Sequence, residues 1–151
     1  MSLGGGGGAM QQIQEQLQLL EQEKQAINAE IQNIRDEQSE IDEAIEAIET
    51  LGTGSTVQVP VGGDAYVRAE IQDIEEVVVT LGGGYAAERD SDGAIDSLEH
   101  KKGALDDRID ELREEIQTIE SETDDLEARA QQAQQQQMQQ LQQMQQQQDD
   151  E

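Results

Sequence analysis

The sequence has no cysteine, phenylalanine or tryptophan, a single proline, and only two tyrosines, Tyr66 and Tyr85. Without cysteine there is no disulfide framework, which fits a reducing compartment. With so few large side chains, 151 residues cannot fill the core of a compact, enzyme-like globule. Positive charge is scarce as well: 9 Lys and Arg stand against 35 Asp and Glu, a formal charge of −26. Such a field repels phosphate backbones and anionic lipid, because both need cationic neutralisation, and this argues against nucleic acid and membrane as partners. The acidity reads as a solubility device suited to a salt-adapted cytosol, in preference to recognition of a basic partner. No segment approaches the roughly 20 apolar residues that span a bilayer, and residues 1–9 show neither a basic region nor an apolar run. These absences predict one soluble, cytoplasmic domain.

What the chain has in abundance is heptads. Ile13, Leu20, Ile27, Ile34, Ile41 and Ile48 recur every seventh residue, interleaved with Met10, Leu17, Ile31 and Ile45. Neither Gly nor Pro falls between Met10 and Leu51, so 10–51 is predicted as one helix, roughly 60 Å long at about 1.5 Å per residue. A second helix is predicted over 93–133, after Asp92 as its N-cap. Its seam is Ile95, Leu98, Leu105, Ile109, Leu112, Ile116, Ile119 and Leu126, weakening at Ala130 and Ala133. Lys24, Gln38, Lys102 and Thr123 occupy a positions, where an antiparallel partner would set an aliphatic d residue against each. Both helices meet the middle of the chain at near ends, which predicts that they fold back along one another. Facing residue numbers then add to a constant: 143 if Ile48 meets Ile95, with 136 and 150 equally allowed by the heptad.

The middle, 56–89, changes period. Val57, Val59 and Val61 alternate with Gln58 and Pro60, and Ala65, Val67, Ala69 and Ile71 alternate with Tyr66, Arg68 and Glu70, as half-buried strands do. Gly62-Gly63-Asp64 supplies the positive-φ residues of a hairpin turn between them. A second pair, Glu76 to Leu81 and Tyr85 to Arg89, flanks Gly82-Gly83-Gly84. Four short strands cannot close a barrel or cover both faces, so a partner must complete the sheet. Val57, Val59, Val61, Val67, Ile71, Val77, Val79 and Leu81 are the candidate assembly residues. The predicted fold class is α+β: a long antiparallel two-helix coiled coil with two central β-hairpins at its closed end. Residues 1–9 form a flexible Gly-rich leader and 134–151 a Gln-rich acidic tail, expected to be solvated and fraying.

Nothing in the pattern builds a catalytic, cofactor or metal site. Gly82 to Ala87 nominally fits a loose dinucleotide fingerprint, but no helix opens on the glycines and no parallel crossover follows, so a hairpin turn explains it. Asp90-Ser91-Asp92-Gly93 shares part of a calcium loop without the remaining ligands at their spacing, and helix capping accounts for it. His100, the only histidine, lies off the seam with no Cys or second His to share a metal or activate a nucleophile. The many carboxylates lack a pocket that would shift their pKa values.

The order helix, Val57-Gln-Val-Pro-Val-Gly-Gly-Asp-Ala-Tyr-Val67, Val77-Val-Val-Thr-Leu-Gly-Gly-Gly-Tyr-Ala-Ala-Glu88, helix resembles the archaeal α subunits of the prefoldin family over 10–133. The β-type subunit of that family carries one hairpin instead of two. The resemblance implies a chaperone working without ATP, as a hexamer of two α and four prefoldin beta subunits. The hairpins would form a double β-barrel platform from which the coiled coils project as tentacles. Their tips would hold unfolded client proteins and pass them to a group II chaperonin. The Gly-rich leader and long Gln tail depart from the family pattern and leave the chemistry of the tips open. Met10, Ile13 and Leu17, with Leu126, Met138, Leu141 and Met144, are the candidate client-binding residues, since methionine adapts to many apolar shapes and Ala130 and Ala133 close the coil weakly there. The alternative is a structural coiled-coil scaffold without holdase activity, which would protect no unfolded protein from aggregation.

Charge sets the first expectation. Bringing chains of −26 together is opposed by repulsion whose range shrinks from about 10 Å at 0.1 M salt to about 3 Å at 1 M. Sedimentation at low and at molar salt is expected to show tighter assembly at molar salt; an equally tight or weaker complex there would contradict it.

Overall fold

The computed structural model describes residues 5–149. Helix α1, Gly5–Thr50, is followed by strands β1, Thr56–Gly62, and β2, Ala65–Glu70, then β3, Val77–Gly82, and β4, Tyr85–Arg89, and finally helix α2, Ser91–Asp149. The chain divides into two compact units, residues 32–109 and residues 1–31 with 110–151.

Residues 32–109 hold both hairpins and the adjoining helical segments. Ile34, Ile41 and Ile109 are buried, and Ile45, Ile48, Ile95, Leu98 and Leu105 are half-buried. This is the a/d seam, since the flanking positions are largely exposed. Each fully buried Ile or Leu contributes about 1.5–3 kcal/mol, so a handful of seam layers carries most of the helix pairing. Gln38 at its a position donates from Nε2 to the Lys102 carbonyl oxygen, 3.2 Å, and to Asp106 Oδ1, 2.6 Å. Lys102 reaches Asp42 at 2.8 Å and Lys101 reaches Glu37 at 3.8 Å.

The second unit repeats the scheme. Ile31, Leu112 and Ile119 are buried, while Ile13, Leu17, Leu20, Ile27, Ile116, Leu126, Ala130 and Ala133 are half-buried. Lys24 bridges to Glu120 at 3.2 Å, and Thr123 donates its hydroxyl to the Ile119 carbonyl at 2.8 Å. The polar a residues are thus each satisfied, and among the described residues no buried side-chain N or O lacks a partner. The cross-helix pairs also choose the register. Lys24 with Glu120, Gln38 with Asp106 and Lys102 with Asp42 have residue numbers adding to 144, one from the 143 of the Ile48–Ile95 register, while the longer Lys101–Glu37 pair adds to 138. The other registers would set Lys24 beside Leu112 or Leu126, six to eight residues from Glu120, or about 9–12 Å along the helix.

The two hairpins are copies of one design. In the first, Thr56 pairs with Glu70, Val59 with Val67 and Pro60 with Tyr66; in the second, Val77 pairs with Arg89, Val79 with Ala87 and Thr80 with Ala86. Each ladder then slips by one residue before its turn, so Gly62 pairs with Ala65 and Gly82 with Tyr85. Gly62 and Gly82 take φ of 104° and 91° at the slip, and the two-residue turns Gly63-Asp64 and Gly83-Gly84 all have positive φ. Those are the angles of type I′ turns behind a glycine bulge, which explains why glycine recurs at both places. Val61 and Leu81 are the bulged residues of the two copies.

Helix ends differ in detail from the sequence reading. Asp90 caps α2 in place of Asp92: its Oδ1 accepts from the Gly93 N–H at 2.7 Å and its carbonyl from the Ala94 N–H at 2.8 Å. Asp92 falls inside the first turn, where a carboxylate still complements the helix dipole. The Ser91 hydroxyl and N–H donate to the Glu75 carboxylate at 3.0 and 3.3 Å, tying the α2 start to the segment before β3. Helix α1 takes in Gly5 to Gly8 of the expected leader, and α2 runs through the Gln-rich stretch to Asp149. Extending a formed helix adds one hydrogen bond per residue fixed, and glutamine has good helix propensity, so no stop signal ends α2 after Ala133.

The cap generates a test. A Cβ at Gly93 would lie 2.7 Å from Asp90 Oδ1, so Gly93→Ala displaces the capping carboxylate and Asp90→Ala removes it. Each is expected to cost about 1 kcal/mol. Because both act through one hydrogen bond, the double variant should cost much less than their sum in denaturant unfolding; full additivity would show that the cap is not the shared cause.

Candidate functional site

Two sets of apolar side chains remain uncovered, one in each unit. On the first hairpin, Val57, Val59, Val67 and Ala69 lie on one face, with Val59 and Val67 directly opposite each other. Val59 is 44% exposed, Val67 52% and Val61 61%. On the second, Val77 is half-buried, Val79 is buried and Leu81 is exposed. Ile71 is half-buried where its backbone extends the first ladder: Gly54 N–H donates to its carbonyl and its own N–H to that of Ser55. Of the predicted assembly residues, then, Val59, Val61, Val67 and Leu81 are uncovered, whereas Val79 is already enclosed by its own chain.

Three exposed residues of the hairpins lie outside the predicted assembly set. Val78 is 69% exposed, and Tyr66 and Tyr85, the only aromatics of the chain, are also exposed. Strand alternation carried the signal for Val78, since a residue between inward Val77 and Val79 must face the other way, beside its partner Glu88. Tyr66 lies opposite Pro60, so both faces of the first hairpin carry large uncovered side chains.

In the other unit, Met10, Ile13, Leu17 and Leu126 are half-buried in the seam, whereas Met138, Leu141 and Met144 are 62–66% exposed on α2. Spaced three apart, the last three form a face about a third of the helix wide. Continuing the heptad, Met144 falls at an a position while Met138 and Leu141 fall off the seam, in which Ala133 is the last half-buried residue. Leu19, off the seam and exposed, lines a shallow groove with Leu20, Leu126 and Arg129. The structure therefore brings Met10, Ile13 and Leu17 into the paired part of this unit, and leaves the three tail residues on unpaired helix surface.

The hydrogen bond from Lys102 to Asp42 is the main cause holding its ammonium above the usual 10.5, opposed by partial desolvation and helped by the charges of Asp42, Asp106 and Glu99. Its stabilising effect is complete below the unfolded value and is lost as pH rises through the raised folded one. His100 is exposed, and among the described residues no group of three or more His, Cys, Asp or Glu is placed to hold a metal ion. The Gly82–Ala87 stretch is a hairpin turn and Asp90–Gly93 a helix cap. No helix of the described residues is long and apolar enough to cross a membrane.

Paired heptad helices with two small hairpins that leave Val59, Val61, Val67 and Val78 uncovered define a coiled-coil subunit made to associate. Comparison with known proteins agrees. The family profile "Prefoldin subunit" matches residues 20–149. Prefoldin subunit alpha of Haloarcula marismortui is 60% identical over 113 residues, 75% of this chain and 73% of that one. The same subunit of Halobacterium salinarum is 55% identical over 119 residues, 74% and 73% of the two chains. Among solved structures, filamentous PFD from Methanocaldococcus jannaschii is similar with a TM-score of 0.53 and 27% identity, covering 80% of this chain and 97% of that one. The prefoldin beta subunit from Thermococcus strain KS-1 shares the fold with a TM-score of 0.53 and 21% identity, over 82% and 90% of the two chains. The chain belongs to the prefoldin family of chaperone subunits, on the side of its archaeal α subunits, and the two α subunits named here at 60% and 55% identity come from haloarchaea.

Proposed function

We propose that this chain is one of two α subunits which, with four β subunits, form an ATP-independent holding chaperone in the cytoplasm. It needs no cofactor and catalyses no reaction. Its hairpins complete a double β-barrel with those of its partners. The free ends of its helices, with Met10, Ile13, Leu17, Leu126, Met138, Leu141 and Met144, hold non-native proteins for transfer to a group II chaperonin. The observation that carries the holding role is the exposed Met138, Leu141 and Met144 face on helix that has run beyond its seam. Each such side chain contributes about 1.5–3 kcal/mol when a client covers it fully, so a few per arm on several arms suffice for reversible capture. Assembly is supported by the uncovered valines of the first hairpin and by the unpaired strand edges of two-stranded sheets, which are marginal alone.

The two roles are tested separately. Val67→Asp puts a carboxylate on a face that is exposed in the single chain and covered on assembly, so light scattering should report loss of the hexamer while circular dichroism shows retained helix. Val79→Asp buries the charge within the protomer itself and should destabilise the hairpin region by several kcal/mol. A Val67→Asp hexamer at moderate salt would remove this face from the interface.

Removing Met1 to Gln16 together with Leu126 to Glu151 tests the holding site. The truncated chain is expected to assemble but to stop slowing aggregation of unfolded proteins. Undiminished protection by an intact truncated complex would move the site to the sheets, and no protection by the full-length complex would favour a plain scaffold.

A further inference from the structure

Charge is distributed along this chain with one abrupt boundary. Although 29% of its residues are Asp, Glu, Lys or Arg, residues 1–14 and 130–148 contain none. The first charge on α1 is Glu15 and the last two before the gap on α2 are Glu127 and Arg129. On the sum of 144 set by Lys24 and Glu120, Glu15 stands level with Arg129. Segments more than a hundred residues apart in sequence therefore stop being charged at the same height of one helix pair. Past that height the surface is glutamine around Met138, Leu141 and Met144, all exposed.

We infer that this uncharged end admits acidic non-native polypeptides as clients, which the charged helix below it would turn away, an inference that rests on the holding role proposed above. Were the clients basic, the acidic belt of the lower helices would attract them and a charge-free end would only weaken capture. For an acidic client the reverse holds, because the belt repels it and only the charge-free end can let its apolar side chains dock. Met138 and Leu141 lie 11 and 14 residues past Glu127, about 16 and 21 Å along the helix. Both exceed the Debye length of about 10 Å at 0.1 M salt. Asp149 bounds the zone at its far side, eight residues past Leu141 and five past Met144, about 12 and 8 Å on the same scale, so Met138 and Leu141 are the screened pair and Met144 lies at the edge. Glutamine amides both donate and accept hydrogen bonds, so they solvate this surface and can pair with a client backbone without favouring either sign of charge.

The test uses the assembled complex, at the lowest salt where light scattering shows it whole, and three labelled unstructured peptides. These share one apolar content and differ only in carrying Glu, Ser or Lys at the remaining positions. Fluorescence anisotropy is expected to give the Glu and Ser peptides affinities within about threefold of each other on the parent complex, a window of about 0.7 kcal/mol. In the variant Gln137→Glu, Gln140→Glu, Gln145→Glu, the Glu peptide should weaken severalfold relative to Ser while the Lys peptide gains. The matching Gln→Lys variant should reverse that order, which a purely structural defect would not do. The inference is overturned if the parent complex already rejects the Glu peptide by tenfold or more, or if the charge variants do not change the ranking. Peptide binding that survives truncation of both helix ends, or no binding of any peptide to the parent complex, would overturn the holding role as well; an unchanged ranking with binding abolished by truncation would leave that role standing.

Discussion

The structure rests on a seam one side chain wide. Ile31, Ile34, Ile41, Ile109, Leu112 and Ile119 are nearly all of its buried large side chains, and no second layer lies behind them. A core of this kind needs only a repeat in sequence, which is how a chain without Phe or Trp can hold long helices together. It also has little else to fall back on, so the polar residues that interrupt it matter. Lys24, Gln38 and Lys102 each reach across to a carboxylate or carbonyl of the other helix. All three lysines of the chain are spent in such bridges, on helices otherwise dominated by acidic residues.

Most of this was legible in the sequence because the heptad and the strand alternation each report burial directly. Both seams appear where the a and d positions put them, and both hairpins turn on the glycines that have positive φ. The register was not legible, since a heptad looks the same after a shift of seven residues. Only the cross-helix bridges, which depend on atoms outside the repeat, break that symmetry. The cap shifted from Asp92 to Asp90 because either aspartate fits the preference, and the choice follows from Glu75, far away in sequence, receiving Ser91. Low-complexity polar sequence seldom packs, so the composition of the Gln-rich stretch predicts a tail. It is helix without packing, a state that composition alone does not separate from coil.

The candidate surfaces were legible to different degrees. The exposed tail residues Met138, Leu141 and Met144 stood out as the sole large apolar groups in a glutamine run. On the hairpins, alternation told inward from outward but not which inward residues the chain covers unaided. Val79 and Val59 are equivalent in pattern, yet one is buried and the other 44% exposed. That difference comes from what packs on each sheet, which lies beyond the reach of local sequence.

The near identity of the two hairpins bears on how subunits of this family can be counted out. Val57, Val59, Val61, Gly62 and Gly63 recur twenty residues later as Val77, Val79, Leu81, Gly82 and Gly83, with the same slip and the same turn. On the assembly proposed above, a chain with one such hairpin would offer a single point of attachment and this chain two, so that it would act as a joint between neighbours. In a closed ring of mixed subunits the joints would then set how many single-hairpin chains can be seated. The repeated valine and glycine pattern would give the chain its valence, and valence, more than affinity, would limit the size of what it builds.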